Sequence, residues 1–404
     1  MKRIYLDHAA ATPVDLVVLS AMQPFFGLQF ANPSGIHKEG VAARSAVEDA
    51  RKRIATLLSV QPDELVFTAS ATESANLALR GAVEAWKATH PERAPHIIIS
   101  AIEHEAVFAV ARVLENEGTR VSILPVGTDG AARVDELAEL ITVETVLVAL
   151  MYANNEIGTI EPVSLVAKAI RKWKKEVRGV VRSERIRGDD RYPLLYSDAS
   201  QAPNYLDCAV PALGVDMLTI SAAKIYGPKG AGLLFVSRGT QVEPLVQGGG
   251  QERGLRAGTE NVPAIVGFAS AFEIAARVRE TESARLRDMQ TRTVTLLQET
   301  FPDIIVNGSL TERLPNNISF SFPNVDHEYL AITLDARGFA VATKSACSES
   351  EAETSHVLLA LAHSDQGRPV SGIRVSMGRG TTMEDMSEFV ATLSVIRSTM
   401  LGAV

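Results

Sequence analysis

The chain is 404 residues long, 46% hydrophobic and 22% charged, with a formal net charge of −8 and two cysteines. That length supports a large core, expected to be shared between two domains, and the acidic balance speaks against nucleic acid as a partner, since phosphate binding needs a basic surface. No apolar run reaches membrane-spanning length and the N-terminal Met1-Lys2-Arg3-Ile4-Tyr5-Leu6-Asp7 has no secretory apolar stretch, so no membrane contact and a cytoplasmic location are expected.

From Lys38 to Val60 apolar positions recur at helical spacing with charges between them, which predicts an amphipathic helix. Short β-rich runs then alternate with helical patterns: Glu64 to Thr68, His96 to Ser100, Arg120 to Leu124, Thr145 to Met151, Leu194 to Ser197, Met217 to Ile220 and Gly232 to Val236. Apolar strands separated by helices predict an α/β fold, a mainly parallel sheet covered on both faces. Arg171 to Arg191 is crowded with Arg and Lys and lacks clean periodicity. Its first part closes a helix, and Glu176 to Asp190 reads as a solvated insertion. After Gly258 the texture changes: a long helical pattern, Val262 to Glu299, leads into a strand–helix region that ends in a helix from Met383 to Met400. The pattern predicts a large domain over 16–261 and a smaller one over 262–404, to which residues 1–15 return.

In parallel sheets of this kind ligands bind outside the carboxyl ends of the strands, and polar residues recur there. After Val66-Phe67-Thr68 comes Ala69-Ser70-Ala71-Thr72-Glu73-Ser74-Ala75-Asn76, small residues and hydroxyls at a helix start. This is either an anion cradle or a plain N-cap by Ser70 or Thr72. His104 follows the second run in Glu103-His104-Glu105, where it either stacks on a planar ligand and moves protons or caps a helix. Tyr152-Ala153-Asn154-Asn155-Glu156-Ile157-Gly158 is an amide-rich turn, structural or ligand-binding. Asp198 and Gln201 come next, then Lys224 in Ser221-Ala222-Ala223-Lys224-Ile225-Tyr226-Gly227. Taken alone, Lys224 reads as a surface lysine in a glycine-rich turn. At the end of a buried strand it can instead be desolvated and form a Schiff base with a carbonyl cofactor, with an aspartate to keep a pyridine nitrogen protonated. Five polar strand ends on one sheet favour the second reading.

Arg374 lies inside the short apolar strand around Gly372-Ile373-Arg374-Val375-Ser376, where a cation needs a partner. That partner is a substrate carboxylate or an internal acid. Cys208 and Cys347 are far apart and fit no metal spacing, and no metal site is expected. Cys347 lies in the polar, small-residue stretch Thr343-Lys344-Ser345-Ala346-Cys347-Ser348-Glu349, where Lys344 favours the thiolate; this marks it as the functional thiol and Cys208 as core filler.

Together the motifs Ala71-Thr72-Glu73-Ser74, Asn154-Asn155-Glu156-Ile157-Gly158, Lys224-Ile225-Tyr226-Gly227-Pro228-Lys229-Gly230, Gly248-Gly249-Gly250-Gln251-Glu252-Arg253-Gly254, Arg256-Ala257-Gly258-Thr259 and Ser345-Ala346-Cys347 resemble the pyridoxal-phosphate-dependent cysteine desulfurases, the NifS/IscS-like group of the class V aminotransferase superfamily. The resemblance runs from Tyr5-Leu6-Asp7-His8-Ala9-Ala10 to the helix before Met400. It implies fold type I: a seven-stranded, mainly parallel sheet with helices on both faces, and a smaller C-terminal α+β domain carrying the cysteine loop. It further implies pyridoxal 5'-phosphate held by Lys224, with Asp198 on the pyridine nitrogen, His104 on the ring, Asn155 and Gln201 on its phenolic side, and Ala71, Thr72 and Ser221 on the phosphate. Thr259 would reach that phosphate from the second subunit of a homodimer. Arg374, Asn32 and Asn155 would bind the substrate, L-cysteine, and Cys347 would take its sulfur as a persulfide for an acceptor protein of iron–sulfur assembly or tRNA thiolation. Two positions depart from the family. Ala223 stands where histidine usually precedes the lysine, and Lys344 stands in place of a small residue. Another class V enzyme, an aminotransferase or selenocysteine lyase, is the nearest alternative, and a weakly active sulfur-relay or scaffold protein the more distant one.

Overall fold

The contiguous apolar runs of the sequence become buried strands in the computed structural model, which describes residues 2–184, 191–343, 354–365 and 367–402. The strands are β1 (Ile4–Tyr5), β2 (Leu65–Thr68), β3 (His96–Ser100), β4 (Arg120–Leu124), β5 (Thr145–Ala149), β6 (Leu194–Asp198), β7 (Met217–Ser221), β8 (Gly232–Val236), β9 (Ile305–Val306), β10 (Asn317–Ser321), β11 (Phe339–Ala340) and β12 (Ile373–Ser376). The helices are α1 (Leu16–Met22), α2 (Pro24–Gly27), α3 (Lys38–Leu58), α4 (Ala71–Thr89), α5 (Glu105–Asn116), α6 (Val134–Leu140), α7 (Val163–Glu184), α8 (Val210–Leu213), α9 (Val262–Thr300), α10 (His327–Ala336), α11 (His356–Ser364) and α12 (Met383–Gly402).

Seven strands form one sheet in the order β2-β8-β7-β6-β5-β3-β4, and only β8 runs against its neighbours. Successive residues along most of these strands enter different cores because side chains alternate across a sheet, with Val146 and Leu147 of β5, beside a register irregularity, the exception. Ile98, Val148, Leu195, Leu218 and Leu233 pack on one face with α3 and the start of α9, while Ile97, Ile99, Val146, Leu194 and Leu234 pack on the other with α4 and α5. Burial on both faces explains the unbroken apolar runs.

A third core joins Ile4 and Leu6 to Leu286, Phe320, Phe339, Phe389 and their neighbours. Here β1 pairs in parallel with β11, and β10 lies between β9 and β12. The single helix α9 serves two cores: residues from Val262 to Ala275 belong to the first, and Leu286 to Leu297 to the third. The strand over Thr145 to Met151 is shorter than expected, ending at Ala149. Helix α7 continues to Glu184, through the start of the stretch expected from Glu176 to be a solvated insertion. Residues 185–190 lie outside the described residues.

Strand β2 is an edge of the large sheet, and an edge leaves backbone groups unpaired. Side chains cover it. Arg51 Nη1 and Arg253 Nη2 donate to Leu65 O at 2.8 and 2.7 Å, and Phe67 N donates to Glu252 Oε2 at 2.9 Å. Arg51 and Glu252 also form a bidentate pair with both contacts at 2.8 Å, buried at both ends. Glu252 and Arg253 adopt left-handed backbone at φ 47° and 57°, a conformation costing of order 1–3 kcal/mol per non-glycine residue. The buried pair and the edge bonds hold it in place.

Removing one partner of a buried pair strands the other charge, at about 3–5 kcal/mol. Arg51→Met is therefore expected to lower the urea-unfolding midpoint strongly. Adding Glu252→Gln should recover much of the loss, because the amide still accepts from Phe67 N and no lone charge is left.

Candidate active site

Strands β2, β3, β5, β6 and β7 end around one cavity of about 320 Å³. It is lined by Ala71, Thr72, His104, Asn155, Asp198, Gln201, Ser221, Lys224 and Arg374, along with Ser200, Ala223 and the N-terminal Ala9 and Ala10. Nine residues singled out in the sequence thus converge, although they span from position 71 to 374.

Each is held by local chemistry. Ser70 Oγ caps α4 by accepting from Glu73 N at 3.1 Å, so the capping reading holds for Ser70, while Ala71 and Thr72 form the first turn at the cavity wall. The first-turn N–H groups of a helix lack intrahelical partners, and its dipole favours an anion there. His104 is both a cap and a wall residue: its Nδ1 accepts from Ala106 N at 3.1 Å, which requires the ring proton on Nε2. The two adjacent asparagines divide the roles left open by the sequence. Asn154 is structural, its Oδ1 accepting from Glu156 N and Ile157 N and its Nδ2 donating to Ile102 O. Asn155 lines the cavity.

Asp198 ends β6 and is buried, with Oδ1 accepting from Ser200 N at 2.8 Å. Lys224 closes a 3-10 turn directly after β7. Its Nζ donates to Ala10 O, and its own carbonyl accepts from Asn204 Nδ2 at 2.8 Å. Two residues on, Tyr226 takes left-handed backbone at φ 63°. That turn is locked by Thr12 Oγ1, which accepts from Tyr226 N at 2.8 Å, by the phenol oxygen accepting from Arg379 N, and by the Arg379 guanidinium 4.0 Å from the ring centre.

The N-terminal segment crosses the strand ends and is stitched to them. Gln201 Nε2 donates to Ala9 O at 3.0 Å, and Thr12 donates to Ala223 O through both N and Oγ1. Arg374, 3% exposed, donates from Nη2 to Asp7 Oδ1 at 2.6 Å and from Nη1 to Asn155 O at 3.1 Å. An internal acid is thus present at Arg374, which also faces the cavity. Sequence reasoning assigned no role to Asp7 or Ser200. Ser200 was legible only as the neighbour of Asp198 and Gln201. Asp7 had no local signal, because its partner is 367 positions away.

Two expected residues lie elsewhere within the chain. Thr259 lines a neighbouring cavity of about 160 Å³ with Glu252 and Arg256. Asn32 is exposed, its Oδ1 accepting from Ser34 N at 2.9 Å, and it is not among the lining residues. Cys347 lies outside the described residues. Cys208 is buried in the first core, where burial pushes its thiol up to about 12, as suits filler.

Residues 4–181 and 187–389 match the family model described as aminotransferase class-V. The chain belongs to that family. It is 40% identical over 394 residues to the cysteine desulfurase IscS of Dictyoglomus turgidum, covering 96% of this chain and 93% of the relative. It is 37% identical to cysteine desulfurase IscS 1 of Archaeoglobus fulgidus, over 96% of this chain and 95% of that one. Among solved structures it resembles a NifS-like protein, with a TM-score of 0.87 at 34% identity over 98% of this chain and all of the other. It also resembles SspA in complex with cysteine, with a TM-score of 0.74 at 31% identity over 92% and 98% of the two chains.

Behind His104, Glu103 is fully buried. Its Oε1 accepts from Met151 N at 2.6 Å, and its Oε2 has no hydrogen-bond partner among the described residues. Burial, aided by the charge of Asp198, pushes the carboxyl up to about 8. The folded protein therefore keeps a proton that the unfolded chain releases near pH 4.5, so this group's contribution to stability falls as pH rises from about 4.5 to about 8. Glu103→Gln should match the parent near pH 4.5 and exceed it increasingly up to pH 8, by a few kcal/mol at about 1.4 kcal/mol per pH unit. Urea unfolding across that range checks it, and a parallel pair of profiles would refute the buried proton.

Proposed function

We infer that the protein is a pyridoxal-phosphate-dependent cysteine desulfurase that converts L-cysteine to L-alanine. The observation that carries this reading is the convergence of Lys224, Asp198, His104 and Arg374 on one cavity, in a chain whose relatives bear that name over nearly its whole length. The residues fit the cofactor. Lys224 brings an amine for its aldehyde, the α4 start an anion site for its phosphate, and Asp198 a carboxylate for its pyridine nitrogen. Ser200 Oγ, buried without a hydrogen-bond partner among the described residues, lies on the same wall.

Bound there, pyridoxal phosphate supplies an electron sink that acidifies the substrate α-carbon. Lys224 anchors the cofactor and carries the α-proton. His104, in the cavity wall, would pack against the bound ring and assist proton movement from Nε2. Asn155 and Gln201 bind the phenolic side, and Ala71, Thr72 and Ser221 bind the phosphate. Arg374 holds the substrate carboxylate, with Asn32 and Asn155 contributing. The Cys347 thiolate would attack the substrate sulfur and keep it as a persulfide, while the substrate Cβ–S bond breaks with its electron pair left on carbon, which takes a proton to become the alanine methyl.

Several further assignments belong to this reading. The protein acts as a homodimer in which Thr259 and Asn32 complete the partner's site. Support comes from their place outside the protomer's own cavity and from the exposed apolar side chains Leu28, Phe30 and Ile36, at 87, 77 and 95% exposure, in the segment around Asn32. The sulfur passes to an acceptor protein of iron–sulfur assembly or tRNA thiolation, in the cytoplasm. None of the described helices is long and apolar enough to cross a membrane. The large domain comprises 16–261, and the small domain 1–15 and 262–404, with α9 as the element shared by both cores.

Purified protein given L-cysteine and a thiol reductant should release alanine and sulfide, and Cys347→Ala should abolish both. Retained sulfide release would sink the assignment of Cys347. Ala223 leaves the cavity wall without the imidazole usual at that place, and a charge-assisted hydrogen bond is worth about 1.5–3 kcal/mol. Ala223→His is thus expected to lower the dissociation constant for pyridoxal phosphate by about tenfold or more, read by absorbance titration of the apoprotein.

A further inference from the structure

Arg374 is locked before any ligand arrives. Its strand β12 pairs with β10, where Ser319 is opposite Arg374. Its backbone N donates to Ala342 O at 2.6 Å, and its carbonyl accepts from Ala342 N at 3.1 Å. Asp7 is held just as firmly. It follows β1 and bridges in parallel to Ser376, while Ser376 N donates to Leu6 O and His8 N donates to Ser376 O. The carboxylate is therefore presented to Arg374 by backbone that cannot swing away, and it meets Nη2 at 2.6 Å.

The guanidinium keeps donors in hand. Its five N–H groups give one to Asp7 and one to Asn155 O. One N–H on each terminal nitrogen and the Nε hydrogen remain, and Nε is buried without a hydrogen-bond partner among the described residues. A second carboxylate can still be gripped through two donors without displacing Asp7. What Asp7 changes is the charge. An incoming carboxylate meets a neutral pair instead of a lone buried cation, so the long-range attraction for any anion is cancelled while the short-range fork survives.

We propose that Asp7 is a positioning and specificity-determining residue of the substrate-carboxylate site, a resident counter-ion that holds the Arg374 fork and keeps simple anions off it. The inference rests on the reading of Arg374 as the carboxylate anchor. Only a ligand already held elsewhere in the cavity, as an amino acid is at its amine, gains enough from the fork to stay. Asp7 also leads into Ala9 and Ala10, whose carbonyls accept from Gln201 and Lys224, so the resident carboxylate and the lysine amine are tied to one short segment.

The test uses the cofactor-loaded enzyme and acetate as the probe anion. Asp7→Asn keeps an oxygen acceptor for Nη2 and removes the charge. It should lower the acetate inhibition constant by at least about tenfold, the scale expected from uncovering one charge in a protein interior, and should lower KM for L-cysteine more than it alters kcat. An acetate constant within twofold of the parent would overturn the proposal. Asp7→Ser provides a second uncharged variant if the first fails to fold, with cofactor absorbance as the check on folding. The native enzyme offers a test without any variant, because strong competition by acetate there would also overturn it. Arg374→Gln separates the two levels. If it leaves KM unchanged, the carboxylate-anchor reading fails. If it raises KM while Asp7→Asn leaves acetate inhibition unmoved, the Asp7 proposal alone fails.

Discussion

The site depends on one constraint: the N-terminal segment from Asp7 to Thr12 must cross the strand ends of a sheet to which it does not belong. Its polar groups need partners there, because an unpaired buried backbone or charged group costs more than most single contacts return. The partners are site residues themselves: Arg374 for Asp7, Gln201 for Ala9, Lys224 for Ala10 and the Ala223 carbonyl for Thr12. Two packed cores are thereby joined along one polar seam. The seam orients the lysine and arginine before any ligand is present, which is what preorganisation requires.

Next to nearly every cavity-facing residue is a neighbour that does the structural work. Ser70 caps α4 so that Ala71 and Thr72 can face the ligand space, and Asn154 ties two loops together so that Asn155 need not. Glu103 is buried behind His104, and its carbonyl accepts from His356 Nε2 at 2.9 Å at the start of α11. The adjoining Ser355 Oγ donates to Glu156 Oε2 at 2.6 Å. The segment following the cysteine stretch is thus fastened to the two loops that present His104 and Asn155. Besides Ser59 and Asn324, left-handed non-glycine backbone occurs in the same neighbourhood, at Tyr226 after the lysine and at Glu252 and Arg253 before Thr259. At both of these latter places side-chain bonds over-determine the turn.

Much of this was legible in the sequence, and the reason is physical. Strands buried on both faces must be apolar almost without interruption, so His96 to Ser100 and Gly232 to Val236 could be bounded without a structure. Polar residues directly after such runs have few uses, so Lys224, Asp198, His104 and Asn155 could be chosen together. The two-residue strands β1, β9 and β11 carry no such signal, since pairing partners alone define them. The run of α7 to Glu184 was hidden by a crowd of charges that a solvated helix face tolerates as well as a loop does.

Local chemistry along the chain determined the sheet, the family resemblance and the type of each cavity-facing group, because burial period and residue type act over neighbouring positions. Tertiary structure alone decided which group meets which. Arg374 could equally have faced a ligand or an acid, and folding brought Asp7 to it across 367 positions while keeping its side chain in the cavity wall. Likewise Thr259 and Asn32 carry the right chemistry but lie outside the protomer's cavity, since the path of the backbone sets position and composition does not.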